Sequence, residues 1–192
     1  IGGSQAGEAL IKAFDSRHAD VRHAAVAGGY STSYGPAFIA KLGEIIRDKD
    51  PKKDQDLRFN ACHVLGRYAK WRQLDAQEII TDVVLDTSFT RYIRFQLITA
   101  ISRTYELMIP GNMHDDRKII QTLIKLLDDP DGGVRGYAHI ILKKGTNDVG
   151  KFGFNPGHNK TDRQAAIRRW NDWASQVTAP LLSDNFIKKP QE

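Results

Sequence analysis

The chain has 192 residues, 41 % of them hydrophobic, enough to build a continuous core without disulfides or a structural metal. Its 28 Lys and Arg stand against 23 Asp and Glu, a net charge of +5 that leans toward an anionic partner while leaving a mixed surface. A lone cysteine, Cys62, excludes an intramolecular disulfide and a thiolate zinc site, and no stretch approaches the roughly 20 apolar residues of a membrane span.

The N-terminus, Ile1-Gly2-Gly3, has neither the basic start nor the apolar run of a signal peptide. Without Met it reads as a mature form or an excised domain, so the compartment is undetermined, and the chain is expected to be soluble. The first apolar segment at helical spacing is Leu10-Ile11-Lys12-Ala13-Phe14. A turn at Asp15 to Asp20 separates it from Val21-Arg22-His23-Ala24-Ala25. Gly28-Gly29 and Gly35-Pro36 then break the chain. The same order recurs: Ile39 to Ile46, a turn at Asp48-Lys49-Asp50-Pro51, and Leu57-Arg58 leading a second helix, followed by a break at Trp71 to Asp75. It recurs again in Ile79 to Leu85, Asp86-Thr87-Ser88 and Ile93-Arg94, with a break at Pro110-Gly111-Asn112. A fourth copy runs from Ile119 to Leu127 through Asp128-Asp129-Pro130-Asp131-Gly132-Gly133 to Val134-Arg135 and Ala138.

The aliphatic-Arg pair marks the repeat: Arg22, Arg58 and Arg94 are 36 residues apart, and Arg135 follows 41 later, within the range of two-helix repeats. Each unit therefore reads helix, turn, helix, with Asp and Ser placed to cap and Pro to stop. A single hairpin cannot cover its own apolar face, so the expected architecture is all-α: four stacked hairpins whose second helices line a concave side.

The run Leu123-Ile124-Lys125-Leu126-Leu127-Asp128-Asp129-Pro130-Asp131 with Val134-Arg135 and Ala138 resembles a HEAT repeat, and Leu10 to Asp15 with Val21-Arg22 and Ala25 matches closely as well. The second copy carries an insertion between Asp48 and Arg58, and the third has Leu97 where a small residue is usual. The resemblance covers roughly Ala6 to Gly145 and implies a right-handed α-α superhelix, a HEAT-like solenoid. Repeats are expected over residues 1–148, and a loop, capping helix and tail over 149–192 of the same domain. In the tail, Phe152-Gly153-Phe154-Asn155-Pro156 and Thr161 to Trp173 resemble a segment closing HEAT-containing regions in some environmental bacterial proteins of uncertain role. Thr161 with Gln164 forms a capping-box pattern, and Ala166, Ile167, Trp170, Trp173 and Ala174 fall on one side of the helix it would open.

Function is sought on the helix faces. The resemblance implies that Arg22, Arg58, Arg94 and Arg135 bond the turn carboxylates Asp15, Asp48, Asp86 and Asp128 and tie neighbouring hairpins together, which makes them structural. Nine residues beyond each of the last three arginines stand Arg67, Arg103 and Lys144, a basic stripe over three units, with Ser31 in the first. Asn60, His63, Gln96, Thr99 and Tyr137 flank it. These eight residues are the expected partner-binding face, suited to a protein or peptide partner that is acidic, against the alternative that the charges only answer the helix dipole. The six histidines lie at no metal-binding spacing, and the His-Glu dipeptide of HEAT-fold iron hydroxylases is missing, so no metal and no cofactor is expected. Cys62 and His63 are adjacent in a helix and point apart, which argues against a nucleophile-base pair. His139 repeats the position of Cys62 and is expected to pack between units.

A second basic group, Lys143-Lys144, Lys151, Lys160, Arg163, Arg168-Arg169 and Lys188-Lys189, interleaved with Phe152, Phe154 and Trp170, supports a nucleic-acid-binding or base-processing alternative through stacking and phosphate pairing. Gly28-Gly29 and Gly132-Gly133 lack the context of phosphate loops and read as turns. The expected function is a non-catalytic interaction module, a portion of a larger protein.

Overall fold

The computed structural model describes residues 2–30, 34–50, 54–70, 73–106, 117–145 and 152–177. All regular structure among them is helical: α1 Gly2–Ala13, α2 Ala19–Gly28, α3 Pro36–Arg47, α4 Gln55–Lys70, α5 Leu74–Leu85, α6 Arg91–Glu106, α7 Arg117–Leu126, α8 Gly132–Gly145 and α9 Lys160–Val177. The chain divides into two compact units, residues 1–104 and 105–192, so the tract read as repeats, 1–148, contributes to both.

Local chemistry explains the helix boundaries. Gly35 takes φ 82°, a left-handed conformation costly for any residue with a Cβ, and hands the chain to Pro36 in the first turn of α3. Asp54 opens α4 by accepting the Leu57 N–H at 3.0 Å, and Asp131 opens α8 by accepting those of Gly133 at 2.7 Å and Val134 at 3.1 Å. The capping pattern expected at Thr161 and Gln164 is corrected. Asn159 caps α9, its Oδ1 accepting the Asp162 N–H at 3.0 Å and its Nδ2 donating to Asp162 Oδ2 at 2.8 Å. Gln164 turns outward instead and donates to Asp128 at 2.6 Å.

In the first unit α1 packs on α2 and α3, α3 on α4 and α5, and α2 and α5 on α4. The core between them holds Phe14, Phe38 and Tyr68 in aromatic contact, with Phe14 and Phe38 centroids 5.1 Å apart and Phe38 and Tyr68 6.0 Å apart. Ile39, Leu42, Ile46, Val64, Leu65, Ile80, Val83, Leu97, Ile98 and Ile101 complete it. Buried Gln77 of α5 donates to the Ala69 carbonyl at 3.1 Å, satisfying an acceptor that the end of α4 leaves without an intrahelical donor. In the second unit α7 packs on both α8 and α9. Ile119, Leu123, Leu126 and Leu127 meet Val134, Ala138 and Leu142 of α8 and Ala166, Ile167, Trp170 and Ala174 of α9 in the buried interior. The indole of Trp170 is fully buried, with ring centroids 4.7 Å from Phe152 and 5.6 Å from Trp173.

Candidate functional site

The repeated arginines come first because they shape every hairpin end. Each donates to a main-chain carbonyl of its own hairpin, in the turn or, for Arg94, at the end of the helix before it: Arg22 to Ser16 O at 2.8 Å, Arg58 to Asp50 O at 2.8 Å, Arg94 to Val84 O at 2.8 Å and Arg135 to Asp129 O at 2.7 Å. The turn carboxylates expected as their partners, Asp15, Asp48, Asp86 and Asp128, are joined by these carbonyls, and the Arg94 charge helps hold the Asp86 carboxyl below its ordinary value. A guanidinium spreads donors over a planar fork, and turn carbonyls released from helix pairing are the nearest acceptors. Arg135 reaches further and also holds Pro156 O at 3.0 Å, anchoring the segment before α9.

The turn carboxylates have other work. Asp48, Asp86 and Asp129 accept the N–H two residues on, at 3.0, 2.8 and 2.9 Å, and so fold their own turns. Across hairpins, Lys41 Nζ lies 3.4 Å from Asp15, Lys49 Nζ 3.9 Å from Asp86, and Arg163 3.8 Å from Asp128. Lys41, Lys49 and Arg163 of α9 thus supply ties across these elements. The hydrogen bond with Glu44 and then that with Asp15 raise the Lys41 ammonium above its ordinary value despite desolvation.

Of the expected partner-binding residues, Asn60, His63 and Arg67 lie on α4, the first two half-buried and Arg67 exposed. The His63 ring stands edge-on to Phe59 with centroids 4.4 Å apart. Gln96 and Thr99 of α6 are half-buried, and Arg103 falls in the same helix with its side chain outside the described residues. Gly66 brings the two helices together: a Cβ built there meets Ala100 Cβ at 2.7 Å, so a larger residue would push α6 away. Tyr137, half-buried, and Lys144, exposed, lie on α8 in the second unit. Six of the eight residues thus share one unit and two closely crossing helices.

Residues suggested for chemistry are placed otherwise. Cys62 is sealed in the core, and burial above all pushes its thiol up to about 12, with the Arg58 charge a smaller opposing influence. His139 packs at 4.9 Å from Phe154 and 6.5 Å from Trp170, against the segment preceding α9 and α9 itself. His23 pairs with Asp54, 2.7 Å from Nε2 to Oδ2. Burial works against the charged Asp54, yet the Leu57 N–H and the His23 ring together hold its carboxyl below the ordinary value. Among the described residues no group of three or more His, Cys, Asp and Glu is placed to hold a metal, and no helix is long and apolar enough to cross a membrane.

The basic and aromatic group of the tail is also clarified. Trp170 and Phe154 are buried, so their rings are not platforms for bases. Arg169 is committed to Phe152 O at 2.7 Å, and Arg163 to the carbonyl of His158 and to Asp128. Lys151, Lys188 and Lys189 lie outside the described residues.

A cleft of about 360 Å³ opens where the first two hairpins turn. Phe14, Ile45 and Leu57 supply its apolar lining, Asp15, Ser16, Asp48 and Asp54 its polar lining, and Arg22 and Arg58 stand at the same end. Sequence reasoning missed this feature because its residues come from four segments up to 44 positions apart.

The fold and these features define an all-α protein of helical hairpins with a polar face on α4 and α6. No family model, no curated protein and no solved structure matches the chain.

Proposed function

We propose that the chain is a HEAT-like, non-catalytic interaction module that binds an acidic protein or peptide segment through its second-helix faces. The observation that carries this reading is the close crossing of α4 and α6 at Gly66 and Ala100, with Asn60, His63, Arg67, Gln96 and Thr99 partly exposed on the two helices. The packing of α1 on α3 and α3 on α5, beside that of α2 on α4, supports hairpins stacked in the manner of a right-handed HEAT solenoid within the first unit. The exposed Arg67 gives that face its sign, and the sequence pattern continues through Arg103 in α6 and through Tyr137 and Lys144 in α8. A non-catalytic role is supported by the sealed Cys62 and by histidines engaged in packing or pairing. The nucleic-acid alternative is disfavoured by the burial of Trp170 and Phe154.

The test is capture of partners from the source organism, followed by titration of the recovered acidic segment against the parent and an R67E/R103E/K144E variant. Reversing three charges is expected to weaken binding by on the order of tenfold or more, mainly at low salt. Equal affinity for the two proteins would remove this face from the proposal. Tight duplex binding with a steep salt dependence, lost in the same variant, would transfer it to a nucleic-acid partner.

A further inference from the structure

The α4 and α6 face carries two side-chain amides that the protein itself does not use. Asn60 and Gln96 are half-buried, yet neither amide is bonded to another of the described residues. Gln77 and Gln164 behave otherwise, the first spent on Ala69 O and the second on Asp128.

Register puts the two amides on one flank. Gln77 in the first turn of α5 bonds Ala69 O at the end of α4, and Arg94 in the first turn of α6 bonds Val84 O at the end of α5. Each helix therefore runs opposite to the one before it, and α4 and α6 run the same way. Gly66 and Ala100 mark the sides on which they touch. At about 100° per residue, His63, Arg67 and Asn60 lie about 60–120° round from Gly66, and Gln96, Tyr92 and Thr99 lie about 40–100° round from Ala100 in the opposite sense. Between parallel helices, opposite senses turn toward the same side. One flank of the crossing thus presents Asn60 and Gln96 together, with exposed Asp56 and Tyr92 toward the helix starts and exposed Arg67 toward the end of α4.

A carboxamide both donates and accepts, as a peptide group does. An α-helical partner has already paired its N–H and C=O groups internally, whereas an extended segment leaves them open to other donors and acceptors. Helices in contact have axes about 8–10 Å apart and an extended chain advances about 3.3 Å per residue, so peptide groups about three residues apart reach both amides at once.

We propose, resting on the acidic-segment reading above, that this face takes its partner as an extended, unfolded segment held by its main chain, Asn60 and Gln96 each exchanging hydrogen bonds with a peptide group. The segment crosses the two helices, and an acidic side chain turns to Arg67, away from Asp56. Tyr92, 47 % exposed, covers the apolar part of a neighbouring side chain. The partner is accordingly a disordered acidic tail or loop rather than a folded helix.

The test is titration of the full ¹⁵N-labelled chain with the blocked peptide Ac-Glu-Ala-Glu-Ala-Glu-Ala-NH2, beside the same peptide N-methylated at its alanines, which keeps every charge and removes main-chain donors. The plain peptide is expected to move the side-chain NH2 signals of Asn60 and Gln96 saturably, and N-methylation to weaken binding about tenfold. An Asn60→Leu/Gln96→Met variant, built from good helix formers at half-buried positions, should lose a similar factor for the plain peptide and nothing further on N-methylation. Binding that falls with Arg67→Glu but ignores both N-methylation and the amide variant would overturn the main-chain proposal and leave the acidic-segment reading in place. Binding sensitive to N-methylation but indifferent to Arg67→Glu would support main-chain capture and overturn the acidic reading. The proposal is also overturned if N-methylation costs the amide variant as much as the parent, or if the plain peptide moves neither amide saturably.

Discussion

Asp54 joins three functions in one carboxylate: it caps α4 through Leu57, pairs with His23 of α2, and lines the cleft. Its folded-state value is below the ordinary one, so it contributes stability above the unfolded value near 3.8, and that contribution is lost as pH falls through the folded value. Asp54→Ala is expected to lower unfolding stability at pH 7 by about 1 kcal/mol, within the range for loss of an N-cap. Urea midpoints of the two proteins should converge as the solution is acidified below pH 3.8. A gap of the same size at pH 3 and pH 7 would mean that the carboxylate acts through packing rather than charge. The pairing itself was not legible from residue types, since His23 and Asp54 lie 31 positions apart and nothing local in either segment announces the other. Side chains whose partners are main-chain carbonyls were equally opaque. Every residue offers the same carbonyl, so only the turn's path shows which one Arg22, Arg58, Arg94 or Arg135 finds.

The elements themselves were far more readable. The aliphatic-Arg pair lies inside α2, α4, α6 and α8, and the apolar segments before it became α1, α3, α5 and α7, because helical spacing of apolar residues and Asp-rich turns are local signals. The helical positions proposed for a partner were readable by spacing alone: Asn60, His63 and Arg67 share α4, the first two half-buried and Arg67 exposed. What spacing cannot reveal is how closely two helices approach. At Gly66 that approach is decisive, since a methyl group would stand 2.7 Å from Ala100 Cβ and 3.0 Å from its carbonyl carbon. Helix propensity alone favours alanine over glycine by about 1 kcal/mol. Gly66→Ala is nonetheless expected to destabilise, by about 1–3 kcal/mol, because the crossing must open to admit the methyl. Chemical denaturation measures the sign directly. A stabilised variant would show that α6 yields easily, and would weaken the case for a rigid face shared by α4 and α6.

At the scale of the whole chain two units each hold a core, one around Phe38 and Tyr68 and the other around Trp170. The one-sided pattern of Ala166, Ile167, Trp170 and Ala174 announced the packing face of α9, whereas the division near residue 104 left no mark in a repeat that runs through it. Trp170 is the largest fully buried side chain among the described residues and meets Phe152, Trp173 and His139. Trp170→Ala therefore removes a filled volume that these ring neighbours cannot fully close, an expected cost of about 3–5 kcal/mol. That is a large share of the 5–15 kcal/mol by which a typical domain is stable, so the region should open sub-globally before the rest. Hydrogen exchange is expected to accelerate across α7 and α9, where Ile119, Leu123 and Ile167 lose their shared packing, while amides of α3 and α4 keep their protection. Equal acceleration in α3 and α4 would mean that the chain unfolds as one cooperative body despite its two cores. In that case a partner seated on α4 and α6 would stabilise α9 as well, whereas separate units would confine the protection to the hairpins it touches.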